Sequence, residues 1–160
     1  MRVTSILKTT AIFGTMGVAL SITPAAGASA SNSTASSAAA RALYGQCHVG
    51  DRDRFAYLTV YYTPKNGYDE IDEIKYNLGA NSGNQLGNKS NVRLRIRRDL
   101  PYSLDRTLWS WTSGDDIKPG SHSKDPNTRV KYSTKWHVDL KATFDIKGID
   151  PQCSTHTRSV

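Results

Sequence analysis

The sequence predicts an all-β protein, folded as a single antiparallel β-sandwich of six or seven strands with one terminal disulfide. Apolar and polar residues alternate over residues 136–146 and again over 91–98, which is the period of a half-buried strand. Groups of Gly, Pro, Asn and Asp separate such runs at intervals that suit short strands. No segment shows a convincing helical period. An immunoglobulin-like or jelly-roll-like arrangement fits best, and a small barrel is the alternative.

The first 28 residues have the organisation of a secretory signal peptide. Two basic residues precede a mostly apolar run over 9–22, and small residues follow it up to Ala28. We expect cleavage after Ala28 or Ala30. The apolar run is shorter than the roughly 20 residues that a bilayer span needs. No later segment is longer and as apolar, so we expect a soluble, exported chain without stable membrane insertion.

Residues 29–43 are rich in Ala and Ser and offer little to bury, so they are predicted to be a disordered linker. The β-sandwich domain is then predicted over 44–160, a length that suits one core. Loss of residues 1–28 removes two basic residues and no acid, so the formal charge falls from +7 to +5. The exported chain therefore remains basic, which favours anionic partners.

Two cysteines, Cys47 and Cys153, bracket the predicted domain. In an oxidising compartment such a pair is most simply a disulfide, which would tie the first strand to the last. The chain-entropy relation gives about 4.7 kcal/mol as an upper guide for a loop of about 100 residues. The alternative is a metal site with His48 or His156, but the C-x-x-C spacing of zinc sites is absent. No metal site and no cofactor is predicted.

Strands are predicted in order along the domain. Residues 55–62 are aromatic and β-branched, as strands prefer, and the Asn66-Gly67 pair favours a tight turn into a strand over 70–78. Residues 79–91 form a Gly- and Asn-rich loop that lacks the spacing of a phosphate-binding loop. Further strands are predicted over 91–98, 107–112, 129–134 and 136–146, with a loop over 113–120.

A row of arginines is the most distinctive chemical feature of the sequence. Arg93, Arg95 and Arg97 alternate with apolar residues, so a strand would present their guanidinium groups on one face about 7 Å apart. Lys89 and Arg98 add positive charge nearby. Planar guanidinium groups bind phosphates and carboxylates, so these five residues are the predicted anion-binding site.

Two interpretations of this row stay open. For a secreted protein, the polyanions within reach are teichoic acids, acidic polysaccharides, phospholipid head groups and extracellular nucleic acid. Alternatively, the row is a solvated face whose charges are paired with the four acids of residues 69–73. Cross-strand pairs of that kind contribute only about 0.2–1 kcal/mol each.

Aromatic residues form a second candidate site. Tyr57 and Tyr61 share one face of their strand, and Trp109 and Trp111 share one face of theirs. Either set could stack on sugar rings, as in carbohydrate-binding modules. Two tryptophans at this spacing are more often part of a core, because each buries a large apolar area.

No arrangement of residues indicates catalysis. The four histidines lie outside H-E-x-x-H and other recognisable metal spacings, and no G-x-S-x-G motif is present. His137 and Asp139 would share a strand face and could touch, but alternating charges on an exposed strand explain them equally well. We therefore predict no catalytic residues and no enzymatic activity.

The Ala- and Ser-rich leader, the frame formed by Cys47 and Cys153, and the tail over 150–157 resemble small secreted actinobacterial proteins. The roles of those proteins are mostly unassigned. The resemblance covers the whole chain and implies a bacterial exterior. It carries over no active residues.

Three functions are consistent with these patterns. The leading hypothesis is a secreted, non-catalytic domain that binds an anionic polymer of the cell envelope or surroundings. The first alternative is a carbohydrate-binding module that uses the exposed aromatic residues. The second is a protein-directed module, such as an inhibitor of a secreted protease, that presents the loop at 79–91 or at 113–127.

Overall fold

The computed structural model of the chain describes residues 38–50, 53–81, 86–148 and 150–160. These residues form two antiparallel sheets that pack together, which confirms the predicted all-β sandwich. The predicted signal peptide, and the predicted linker as far as residue 37, lie outside the described residues. The first strand begins at Arg41, slightly before the predicted domain boundary at residue 44. Within the described ranges no helix is long and apolar enough to cross a membrane.

Nine strands lie within the described residues. They are β1 (Arg41–Val49), β2 (Arg54–Lys65), β3 (Tyr68–Ala80), β4 (Asn91–Arg98), β5 (Arg106–Thr112), β6 (Gly120–Lys124), β7 (Thr128–Lys131), β8 (Trp136–Thr143) and β9 (Gln152–His156). Sheet A has the order β1-β2-β3-β6, and β7 also pairs with β3. Sheet B has the order β5-β4-β8-β9. All of these pairings are antiparallel.

The core is built from the inward positions of the alternating strands, as the sequence predicts. In β4, the side chains of Val92, Leu94 and Ile96 are fully buried. The hydrogen-bonded part of β8 ends at Thr143, three residues before the predicted end of the strand. Its burial pattern nevertheless continues one step further, and the buried residues are Trp136, Val138, Leu140, Ala142 and Phe144.

The predicted disulfide is confirmed. Cys47 lies in β1 at an edge of sheet A, and Cys153 lies in β9 at an edge of sheet B. Their Cα atoms are 5.7 Å apart. The bond therefore joins the first strand to the last and links the two sheets covalently.

The number of strands is larger than the six or seven predicted. Strand β6 lies inside the segment 113–127, which the sequence suggested as a loop. Its sequence, Gly-Ser-His-Ser-Lys, contains no aliphatic side chain, so no hydrophobic alternation marks it. It forms at the sheet edge because residues 74–78 of β3 offer it backbone hydrogen bonds.

Two turns depend on backbone conformations that favour particular residues. Asn66 and Gly67 both have positive φ, 50° and 81°, as the predicted tight turn between β2 and β3 requires. Between β3 and β4, Leu86 is buried and anchors the loop. Gly87 follows with φ of +84°, and a Cβ atom there would lie 1.9 Å from the Asp145 carbonyl oxygen.

Candidate anion-binding face

Strand β4 presents the arginine row on the outer face of sheet B. Its inward residues fill the core, so Arg93, Arg95 and Arg97 point outward and are half-buried among their neighbours. Strand β8 runs antiparallel beside them. Opposite the three arginines, in the same order, stand Lys141, Asp139 and His137. The arginine row thus belongs to a face that carries both positive and negative side chains.

One carboxylate, that of Asp139, binds two of the three arginines. Arg95 Nη2 donates to Asp139 Oδ2 at 2.9 Å, and Arg97 Nη1 donates to the same oxygen at 3.4 Å. Arg97 Nη2 also donates to the Asp105 carbonyl oxygen at 2.6 Å. Because the Asp139 side chain is only 20% exposed, these contacts are partly shielded from water.

The acids of residues 69–73 do not neutralise the row. They lie on β3 in the other sheet and have their own contacts. Asp69 accepts from Trp136 Nε1, Glu70 contacts Lys65, Asp72 accepts from Thr63, and Glu73 contacts Lys75. Charge pairing on this face therefore comes from β8, through Asp139.

Arg93 and Lys141 lie side by side, and neither has a carboxylate within 4.0 Å among the described residues. The Arg93 Nε atom is buried and has no hydrogen-bond partner in that part of the chain. Both side chains line a hollow of about 290 Å³, together with Arg95, Asp139, Ser154 and His156. Asp139 is already shared by two arginines, so the hollow has excess positive charge and can accept an anionic group.

Two of the predicted anion-binding residues lie outside this hollow. Lys89 is exposed in the turn before β4, where its backbone N–H donates to Asp145 Oδ2 at 3.0 Å. Arg98 is exposed at the end of β4, opposite Arg106 of β5. The structure therefore groups Arg93 and Arg95 without these two residues.

Lys141, Ser154 and His156 are not among the predicted anion-binding residues. The alternating pattern over 136–146 does place Lys141 on the polar face of its strand. That pattern cannot show that β8 pairs with β4 and β9, and these pairings bring the three residues beside Arg93.

His137 is the centre of a second cluster on the same face. Its Nδ1 atom lies 2.5 Å from Asp99 Oδ1. Its Nε2 atom lies 3.2 Å from Asp139 Oδ1 and 3.9 Å from Asp105 Oδ2. The contact that the sequence allowed between His137 and Asp139 is therefore made, and Asp139 links this cluster to the arginine row.

Asp99 is held in its ionised form by this cluster. Burial by itself would raise the pKa of the Asp99 carboxyl group. Hydrogen bonds from Ser159 and His137, with the positive charges of His137 and Lys135, outweigh burial and lower that pKa below its usual value. The carboxylate is therefore a fixed negative charge at the start of the loop between β4 and β5.

Asp99, Asp105 and His137 also offer donor atoms that all lie within 4.8 Å of one another. Imidazole and carboxylate groups are ligands that divalent transition metals accept. A cation here would have to displace the contact between His137 and Asp99 and lie near the guanidinium group of Arg97, which donates to Asp105. The positive charge of Arg97 thus disfavours a metal ion, and the contacts of the three residues are those of a hydrogen-bonded cluster.

The two predicted tyrosines lie on the outer face of sheet A. Tyr57 is 40% exposed and belongs to a cluster of rings, with centroids 5.0 Å from Phe55 and 6.0 Å from His48. Tyr61 is less exposed, and the Lys75 ammonium group lies 5.2 Å from its ring centroid. Tyr57 is therefore the better placed of the two for stacking on a sugar.

The two predicted tryptophans lie elsewhere. Trp109 and Trp111 are partly buried and pack against the core from β5, the edge strand of sheet B. The Trp111 ring is 6.1 Å from Tyr76 of sheet A, and the Lys124 ammonium group lies 5.5 Å from its centroid. This packing agrees with the interpretation of the two tryptophans as core residues. A platform for stacking on a sugar would therefore depend on Tyr57.

Two candidate sites therefore emerge from the described residues, the cationic hollow of sheet B and the aromatic cluster of sheet A. No protein-family model, no curated protein and no solved structure matches the chain.

Proposed function

We propose that this protein is a secreted, non-catalytic domain that binds an anionic polymer of the cell envelope or its surroundings on the outer face of sheet B. The single observation that carries the proposal is the hollow in which Arg93 and Lys141 have no carboxylate partner among the described residues. The signal-peptide pattern of residues 1–28 and the disulfide support an extracellular location.

The spacing of the cations favours a polymer over a small molecule. Arg93 and Arg95 both line the hollow about 7 Å apart along β4, and Lys141 stands opposite Arg93, so neighbouring anionic groups of a chain can each approach a cation. Ser154 and His156 on β9 add hydrogen-bonding groups at the side. Repeating phosphates of a teichoic acid or carboxylates of an acidic polysaccharide have the matching chemistry.

A variant that removes only unpaired cations tests this proposal. Arg93→Gln combined with Lys141→Gln should leave the ion pairs of Asp139 intact and keep the free energy of unfolding nearly unchanged. Because hydrogen bonds to charged groups contribute about 1.5–3 kcal/mol each, affinity for immobilised teichoic acid or heparin should fall at least tenfold. The affinity of the unaltered protein should also fall steeply with salt.

The matched control is Lys65→Gln combined with Lys118→Gln, which removes the same total charge from two exposed ion pairs elsewhere. Its retention should change much less. If the two double variants lost affinity equally, the effect would be one of net charge, and the proposed site would be wrong. If the protein bound nucleic acid more tightly than polysaccharide or teichoic acid, the proposed polymer class would be wrong.

A second candidate function is the stacking of a neutral sugar on sheet A. It is favoured by Tyr57, which lines a hollow of about 180 Å³ together with the polar residues Thr59, Lys75, Asn77 and Ser121. Tyr57→Ala should then abolish retention on an insoluble polysaccharide, and retention should be insensitive to salt. Tyr132→Ala, at another exposed tyrosine, is the control. Unchanged retention of Tyr57→Ala would eliminate this candidate.

A further inference from the structure

One end of the sandwich gathers several chain turns side by side. The loop over 99–105 joins β4 to β5, and the turn over 132–135 joins β7 to β8. Asp99 N donates to the Lys135 carbonyl oxygen at 2.9 Å, which holds the two together. Tyr132 N donates to the Gly67 carbonyl oxygen at 3.1 Å, which adds the turn between β2 and β3. We call this end of the molecule the Tyr102 end.

Large apolar side chains protrude from the Tyr102 end into solvent. Tyr102 is fully exposed, Leu104 is 92% exposed, and Tyr132 is 51% exposed. Tyr102 also has a positive φ of 65°, an uncommon conformation for a bulky residue. Within one short loop, a tyrosine and a leucine with almost no packing contacts form an apolar tip that the fold itself does not require.

Hydrogen bonds hold the base of the loop that carries this tip. Leu100 N donates to Asp105 Oδ1 at 3.3 Å, which closes the loop at its base. Arg97 donates to the Asp105 carbonyl oxygen from one side, and His137 contacts Asp99 from the other. The loop therefore presents Tyr102 and Leu104 from an ordered base.

Positive charge is concentrated at the same end as the tip. Six of the exposed basic residues at this end have no carboxylate within 4.0 Å among the described residues. They are Arg41, Arg98, Arg106, Lys131, Lys135 and Arg158. Four of them line two hollows of about 520 and 860 Å³, Arg98 and Lys135 in the first, Arg41 and Arg158 in the second.

The acids of the Tyr102 end are engaged inside it. Asp99 and Asp105 turn towards His137. Asp69 is buried and accepts from Trp136, and Glu70 contacts Lys65. The outward charge of this end is therefore positive.

We propose that the Tyr102 end docks reversibly on the surface of an anionic lipid bilayer. An apolar tip at an end rich in exposed cations matches a membrane, where hydrocarbon lies beneath a layer of negative head groups. Tyrosine also prefers the interface between head groups and hydrocarbon. A protein partner would need a pocket for a protruding tip, whereas several exposed cations at one end favour the extended negative surface of a bilayer. This site and its ligand differ from those of the proposed function.

The test is sedimentation of the purified full chain with vesicles of phosphatidylcholine, alone or mixed with phosphatidylglycerol. Binding should require the anionic lipid and weaken with salt. Tyr102→Ser combined with Leu104→Ser should reduce partitioning about tenfold, because it removes the apolar contact. Arg98→Gln combined with Lys135→Gln should reduce it by a similar factor.

Two matched variants serve as controls. Tyr44→Ser combined with Tyr57→Ser removes two exposed tyrosines from the outer face of sheet A and should keep vesicle binding. Arg93→Gln combined with Lys141→Gln should also keep it, although it impairs the proposed polymer site. The two proposals can therefore fail separately.

A site-specific measurement removes any contribution of the apolar N-terminal residues. Measured as the difference from the unaltered protein, which has three tryptophans, the emission added by Tyr102→Trp should be quenched by brominated lipid, and the emission added by Tyr44→Trp should not. Absence of quenching at position 102, or unchanged binding of the Tyr102→Ser and Leu104→Ser double variant, would overturn the proposal. Binding of the tip to a protein, together with no binding to anionic vesicles, would overturn it as well.

Discussion

At the scale of single residues, Asp139 controls the charge of the candidate face. One of its oxygens accepts from Arg95 and Arg97, and the other lies 3.2 Å from His137. Two cations and an imidazole thus share one carboxylate, whereas Arg93 has no such partner among the described residues. This imbalance keeps the face ordered and still leaves it an excess of positive charge.

Replacing Asp139 should therefore separate stability from binding. Asp139→Asn leaves two partly buried guanidinium groups without their charged acceptor, so the free energy of unfolding should fall by about 1–3 kcal/mol. The same variant raises the charge of the hollow, so affinity for the proposed anionic polymer should increase. Urea unfolding and polymer retention measure the two effects. Asp150→Asn, an equal charge change at an exposed site, is the control, and equal behaviour of the two variants would contradict the prediction.

The ionised state of Asp99 should make stability depend on pH in the acid range. Its pKa is lower in the folded protein than in the unfolded chain, so its contribution is present at pH above about 3.9. That contribution is lost as pH falls through the lower, folded-state value. Urea unfolding at successive pH values should show a shallower acid loss for Asp99→Asn than for the unaltered protein. Identical pH profiles for the two would refute this role.

At the scale of elements, the site is produced by the pairing of β4 with β8. Alternation within each strand decides which residues point outward. The register Arg93 to Lys141 and Arg95 to Asp139 decides which of them meet. A shift of one residue in either strand would place apolar residues on the surface, so burial of the core fixes the register of the charges.

The loop before β4 depends on one glycine. Gly87→Ala would place a Cβ atom 1.9 Å from the Asp145 carbonyl oxygen at a positive φ, so something must shift. The free energy of unfolding should fall by more than about 1 kcal/mol, with displacement of the buried Leu86. Chemical denaturation measures this loss. Gly114→Ala, which meets no atom within 4 Å, should be nearly neutral, and similar losses at both positions would contradict the steric argument.

At the scale of the whole molecule, the two sheets turn different surfaces to solvent. Sheet B carries the cationic hollow, and sheet A carries the aromatic cluster. The Tyr102 end forms a third surface, with protruding apolar residues and unpaired cations. A small sandwich can present such separate surfaces because its core uses only the inward half of each strand.

The disulfide should account for a large part of the stability of this domain. It joins residues separated by 106 positions, so breaking it restores much conformational freedom to the unfolded chain. Cys47→Ser combined with Cys153→Ser should lower the free energy of unfolding by up to about 4.7 kcal/mol. Denaturation of the reduced, unaltered protein should give a similar value. A loss below about 1 kcal/mol in both would show that the two sheets hold together without the bond.

The sequence was most informative where a pattern is local. The strands rich in alternation, the Asn66-Gly67 turn and the pair Cys47 and Cys153 were all predictable, because each depends on side-chain period, turn conformation or compartment. Strand β6 was not, because a polar edge strand needs no hydrophobic face. Arg93 and Arg95 follow a local alternation, so they could be named as candidates. Lys141 could not be assigned to them, because it meets Arg93 only through the pairing of β4 with β8.

The sequence by itself thus determined the fold class, the residues that face the core and the outward direction of the arginines. Only the tertiary structure decided that Asp139, and not the acids of residues 69–73, meets the arginines. It also decided that Trp109 and Trp111 pack against the core and that Tyr102 stands among unpaired cations. The physical reason is that side-chain period is written along one strand, whereas the choice of neighbour depends on which distant strands pair and in what register.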